Sequence, residues 1–96
     1  MITFINRFTV TGPTEQFERA FDETSAFFTA QPGFLRHRLM RHTEDPRVYA
    51  NLAEWEDEAS FRKALGHPGF AAHRAALRAL STSEPHLYTP LYERSA

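Results

Sequence analysis

Residues 34–55 read FLRHRLMRHTEDPRVYANLAEW, and this stretch decides the fold. Two period-two runs flank a cluster of turn-forming residues. In Phe34 to Arg41, Leu35, His37 and Leu39 share one face, and Phe34, Arg36, Arg38 and Met40 share the other. In Arg47 to Trp55, Tyr49, Asn51, Ala53 and Trp55 fall on a common face. Such alternation is the mark of a strand. Thr43–Glu44–Asp45–Pro46 supplies residues that favour a turn, so the two runs form an antiparallel hairpin. The alternation of the first run does not say which of its faces is inward.

Each side of the hairpin repeats one pattern. Upstream, Ile2, Phe4, Asn6, Phe8 and Val10 alternate with Thr3, Ile5, Arg7 and Thr9, giving a strand over residues 2–10 that Thr11–Gly12–Pro13 ends. From Thr14, the residues Phe17, Ala20, Phe21, Thr24 and Phe28 recur at three- and four-residue spacing, with Glu15 in the first turn. That is an amphipathic helix with an acidic start, stopped by Gln31–Pro32–Gly33. Downstream, Glu56 to Leu65 reads as a short helix and Gly66–His67–Pro68–Gly69 breaks it. Phe70, His73, Leu77 and Leu80 outline the apolar stripe of a further helical piece. Ser81–Thr82–Ser83 follows that piece. His86 to Tyr92 is aromatic and β-prone, with Pro90 fit only for an edge strand, and Glu93 to Ala96 is a flexible end.

The order βαββαβ predicts a ferredoxin-like α+β fold, a four-stranded antiparallel sheet with helices on one face, built as one domain over residues 1–96. Its other sheet face lies bare in a monomer. Pairing two sheets face to face into a barrel would cover it, and a chain of 96 residues buries only about 60% of its unfolded surface. A homodimer is therefore expected.

Composition narrows the function. Eleven basic and 12 acidic residues leave a net charge of -1, without the positive field that a phosphate backbone demands, so nucleic acid is not expected as a partner. There is no cysteine, which removes thiolate nucleophiles, disulfides and zinc–cysteine sites. No apolar run approaches the roughly 18 residues that span a bilayer, and the first residues lack a signal-peptide pattern. The expectation is a cytoplasmic protein with no membrane partner. No glycine-rich phosphate loop and no Gly-x-Ser-x-Gly elbow occurs. His37, His42, His67 and His86 form no helical i,i+4 pair and no zinc spacing, so no metal is expected.

Three side chains stand out. Asn6 lies between Phe4 and Phe8 on an apolar strand face, where an unpaired amide costs about 1–3 kcal/mol. Either the fold satisfies it or a ligand does. Asn51 and Trp55 lie four apart on one face of the third strand, which can sit beside the first in this topology. Trp55 taken alone reads as a core aromatic with its indole N–H bonded to backbone, and convergence with the asparagines is what points to function; His73, on an apolar helical stripe, reads as a core histidine or a proton-transfer group. The run Glu54, Glu56, Asp57 and Glu58 reads as an acidic helix start.

With Phe4–Ile5–Asn6–Arg7–Phe8, Gln31–Pro32–Gly33–Phe34, Asn51 to Trp55 and Pro68–Gly69–Phe70, the chain resembles the antibiotic biosynthesis monooxygenase superfamily of dimeric α+β barrels over nearly its whole length. The runs Asn6 to Val10, Ala26 to Phe28 and Ala76 to Glu84 resemble its anthrone monooxygenases of the nogalamycin type. The resemblance implies oxidation of a polycyclic anthrone to a quinone by dioxygen as co-substrate, with no metal, flavin or haem. It implies Asn6, Asn51 and Trp55 as the catalytic groups. Phe28 and Leu39 are assigned to the apolar wall around the substrate, and His73 to an assisting role there. The haem-degrading enzymes of the same superfamily also resemble this chain, and there Asn6, Trp55 and an iron-ligating His73 would be the trio. A non-catalytic barrel that binds a polyketide or stabilises a partner enzyme is the third reading.

Overall fold

A computed structural model describes all 96 residues. The strands are β1 (Ile2–Val10), β2 (Phe34–Arg41), β3 (Val48–Trp55) and β4 (Ser81–Tyr88); the helices are α1 (Thr14–Thr29), α2 (Glu58–Leu65) and α3 (Ala71–Leu80). A 3₁₀ turn, Pro68–Phe70, leads into α3. The sheet order is β2-β3-β1-β4 and every neighbouring pair is antiparallel. This is the ferredoxin-like α+β arrangement that the βαββαβ order predicts.

Two boundaries differ from the sequence reading. The last strand is Ser81–Tyr88 and not residues 86–92, because α3 passes into β4 without a turn. The Ser81 hydroxyl donates to the Leu77 carbonyl at 2.7 Å, which occupies an acceptor at the helix end while the Ser81 backbone is already extended. Pro85, rather than Pro90, is the proline in the edge strand. The second helix begins at Glu58 because the Asp57 side chain caps it, accepting from the Ser60 backbone N–H at 2.7 Å. That bond holds the Asp57 carboxyl below the usual carboxylate range.

The turn before β2 needs its glycine. Gly33 has φ +84°, and a Cβ there would collide with the Ser60 side chain. Its carbonyl accepts from the Glu56 N–H at 2.8 Å, tying this turn to the end of β3. A bulge then follows: Phe34 pairs with Trp55 and Arg36 with Glu54, so Leu35 is the extra residue. Strict alternation would put Phe34 and His37 on opposite faces. The bulge puts them on the same one, toward the helices, and leaves Leu35 exposed.

The helix-covered face carries two apolar clusters. Phe8, Val10, Phe17, Phe21, Tyr49 and Leu77 form one; Ala53, Trp55, Phe61 and Ala64, flanked by Phe4, Phe28 and Phe34, form the other. Between them runs one polar row. Asn6 and Asn51 are direct register partners on β1 and β3, with Phe8 opposite Tyr49 on one side and Phe4 opposite Ala53 on the other. The opposite sheet face bears Ile5 opposite Leu52 and Met40 opposite Ala50, with the Arg36–Glu54 and Arg7–Glu84 ion pairs around them.

Candidate active site

Where the two clusters part, the space between sheet and helices is open. A cavity of about 680 Å³ has Asn6, His37, Asn51, Trp55, Pro85 and Leu87 on its sheet side, and Thr24, Ser25, Phe28, Phe61, Phe70 and Leu77 on its helix side. Its volume lies within the roughly 300–1,000 Å³ of small-molecule sites. Arg62, Arg74 and Arg78 also line it. Arg62 is engaged with Glu58 at 2.6 Å, and Arg74 lies 4.8 Å over the Phe70 ring and donates to the Leu65 carbonyl at 3.3 Å. Arg78 has no ion pair.

Asn6, Asn51 and Trp55 are brought together, as alternation on β1 and β3 requires. Asn51 is 8% exposed; its Oδ1 lies 3.1 Å from His37 Nδ1, and its amide nitrogen, which bonds nothing in the protein, keeps contact with the cavity. Asn6 Oδ1 is sealed from solvent and has no hydrogen-bond partner, alone among the buried side-chain nitrogens and oxygens. The fold does not satisfy that amide locally. Trp55 is 1% exposed and boxed edge-on by Phe28, Phe34 and Phe61, with ring centroids at 5.8, 5.2 and 5.7 Å. Its indole N–H also bonds nothing in the protein and is not sealed, so it too opens on the cavity.

Phe28 lines the cavity; Leu39 and His73 do not. Leu39 shares the inward face of β2 but packs on the cluster around Phe17, beside Glu18, Arg41 and Tyr49. There the Tyr49 hydroxyl donates to Glu18 at 2.5 Å, and burial, then the carboxylate, push the Tyr49 pKa up. His73 packs at a tilt against Phe27, with ring centroids 5.6 Å apart, where α3 meets α1. The trio Asn6, Trp55 and His73 of the haem reading therefore does not share one cavity.

His37 was missed as a site residue. Its Nε2 lies 2.5 Å from Ser25 Oγ and its Nδ1 meets Asn51, so a chain of polar contacts crosses the cavity wall from α1 to β3. No local sequence signal marks it. Ser25 is 12 residues away on a helix, and alternation within β2 does not say that the face shared by His37 and Leu39 is the inward one. No group of three or more His, Cys, Asp or Glu side chains is placed to hold a metal.

A ferredoxin-like sheet with an interior aromatic cavity and two facing asparagines defines a small α+β protein built around a ligand-sized site, and the antibiotic biosynthesis monooxygenase family model matches residues 1–76. The chain belongs to that family. Deoxynogalonate monooxygenase of Streptomyces nogalater is 53% identical over 88 residues, which cover 92% of this chain and 75% of that protein. The crystal structure of SnoaB, a cofactor-independent oxygenase from Streptomyces nogalater, superposes with a TM-score of 0.94 at 51% identity, covering 96% of this chain and 94% of that one. PA3566 from Pseudomonas aeruginosa shares the fold, with a TM-score of 0.82 at 22% identity over 95% of this chain and 94% of its own.

Proposed function

We propose that this protein oxidises a polycyclic aromatic polyketide anthrone to the quinone with dioxygen, in antibiotic biosynthesis. It is a cofactor-independent monooxygenase, as its relatives at about half identity are. The observation that carries the substrate reading is the Asn6–Asn51 pair beside Trp55 on the floor of an otherwise aromatic cavity. A flat ring system fits between the Phe28 and Phe61 side and the sheet. The guanidinium groups of Arg74 and Arg78 favour a substrate with an anionic substituent.

The substrate supplies the electrons. A phenolic anthrone loses one benzylic proton to solvent and becomes an enolate, whose negative oxygen meets the Asn6 and Asn51 amide donors. Donors fixed in a water-poor site stabilise such an oxyanion by about 2.7–4 kcal/mol each. One electron then passes to triplet oxygen, and the carbon radical and superoxide combine into a peroxide anion. A proton makes the hydroperoxide. Loss of the second benzylic hydrogen and of the terminal oxygen, together as water, leaves the C=O. In sum, CH2 and O2 become C=O and H2O. Trp55 bounds the rings, and its N–H donates to the peroxide or to a ring oxygen.

Purified, metal-free protein consumes oxygen with a tri- or tetracyclic anthrone and forms quinone absorbance above the no-protein rate, with one O2 per quinone. A rate equal to background autoxidation overturns this reading. A Soret band on adding haem would then direct attention to the haem-degrading branch, and ligand binding without turnover to a non-catalytic barrel.

The 96 residues serve as one domain, and a second copy covers the bare sheet face around Ile5, Leu52 and Met40, closing two sheets into a barrel. Sedimentation equilibrium then gives twice the 11.1 kDa of the chain. Placing a charge there, with Leu52→Glu, gives the single mass. No helix is long and apolar enough to cross a membrane, and we place the protein in the cytoplasm, with no nucleic-acid or membrane partner.

A further inference from the structure

We propose that His37 is a positioning residue: held through Nε2 by the Ser25 hydroxyl, it fixes the Asn51 side chain so that the amide N–H group, and not the carbonyl oxygen, faces the substrate. The inference rests on the oxygenase reading for its consequence, but the hydrogen-bond chain itself stands on geometry.

An asparagine amide is nearly symmetric in shape, so packing alone does not decide which end enters the cavity. The bonds at its other end must decide. Ser25 Oγ has a single side-chain partner, His37 Nε2, at 2.5 Å. Its neighbour Thr24 bonds back to the carbonyl four residues earlier, at Ala20, but Ser25 does not. The Ser25 hydroxyl donates to Nε2 when that nitrogen is bare, and it is bare in the neutral tautomer whose Nδ1–H meets the Asn51 oxygen, which can only accept. In a neutral imidazole the proton then sits on Nδ1. A protonated Nδ1 at 3.1 Å demands an acceptor, and Asn51 meets it with Oδ1. The amide nitrogen is what remains for the cavity. Phe21 and Phe34, at 5.8 and 6.0 Å, hold the His37 ring in place.

The consequence is directional. An Asn51 oxygen aimed at a developing enolate would repel it, whereas a preset N–H needs no reorganisation as charge develops. The bulge at Leu35 brings Phe34 to the same face, where its ring lies against His37.

The first test reads the hydrogen-bond chain without turnover. Nitrogen-15 NMR of the ligand-free wild-type protein at neutral pH shows His37 with Nδ1 protonated and Nε2 bare; an Nε2–H tautomer overturns the proposal. The second reads the consequence. His37→Leu lowers kcat about tenfold with KM changed less than twofold, and His37→Asn, whose amide nitrogen takes the place of Nδ1, recovers most of the loss. In an Asn51→Ala background His37→Leu costs less than a further twofold, as expected for residues that act as one unit. Ser25→Ala leaves the ring in place and loses activity in the same direction. Full activity of His37→Leu, losses that multiply with Asn51→Ala, or a His37→Asn variant no better than His37→Leu at an equal melting temperature overturns the proposal. A wild-type protein that shows the Nδ1–H tautomer yet oxidises no anthrone overturns the function reading and leaves the assigned orientation of Asn51 standing.

Discussion

Asn6→Leu raises the melting temperature by about 4 °C or more and lowers kcat by about a hundredfold or more. The two effects have one cause. Asn6 Oδ1 is sealed from solvent without a partner, an arrangement that costs about 1–3 kcal/mol for a buried polar atom. Leucine has the same number and branching of heavy side-chain atoms, sits at home between Phe4 and Phe8 with its extra bulk toward the cavity, and removes that cost. In a domain of this size about 1 kcal/mol moves the midpoint by roughly 4–8 °C. The same substitution removes one of two amide donors for the enolate, and loss of a single oxyanion donor lowers kcat by about 10²–10³. A stable but slow variant is what a residue kept for chemistry predicts. Calorimetry and oxygen uptake on the same preparation check both halves. A lower melting temperature would show that the native fold relies on the amide, and undiminished turnover would remove Asn6 from the reaction.

The legible part of this molecule was the part written in period two. Alternation in residues 2–10 and 47–55 set Asn6, Asn51 and Trp55 on inward faces, and adjacent pairing of β1 and β3 made the asparagines direct partners. Those positions depend only on the pleat and the topology. β4 was less legible because Ser81 to Pro85 has little strand propensity of its own. Its pairing with β1 is a tertiary effect, and it tolerates Pro85 as an edge strand can. The bulge at Leu35 shifts the faces of β2 by one residue, a change that alternation cannot signal. Leu39 shows the limit of reading a face from sequence. It points to the helical side, as a pocket residue would, but α1 covers it with Phe17 and Phe21, and the cavity opens elsewhere. His73 lies on an apolar stripe whose Phe70 and Leu77 reach the cavity, but its own ring packs against Phe27.

Trp55→Phe lowers kcat by about ten- to a hundredfold and leaves the protein folded, whereas Trp55→Ala removes the folded state as much as the activity. At 1% exposure inside a box of three phenylalanines, the indole is both the largest fully buried side chain and a wall of the site. Truncating a buried tryptophan to alanine costs about 3–5 kcal/mol. Small domains have only about 5–15 kcal/mol to lose, so an activity measured on that variant says nothing about chemistry. Phenylalanine keeps an aromatic ring against Phe28, Phe34 and Phe61 and removes the one polar atom. A hydrogen bond to a charged oxygen contributes about 1.5–3 kcal/mol, which is roughly a ten- to hundredfold change in rate. Trp55 is also the only tryptophan, so in the parent its fluorescence reports the cavity directly. Quinone product quenches that emission with a midpoint near its inhibition constant. A Trp55→Phe protein that melts within a few degrees of the parent, binds quinone with similar inhibition and turns over slowly places the indole N–H in the reaction. Equal turnover by the two proteins would leave Trp55 only as the wall against which the rings lie.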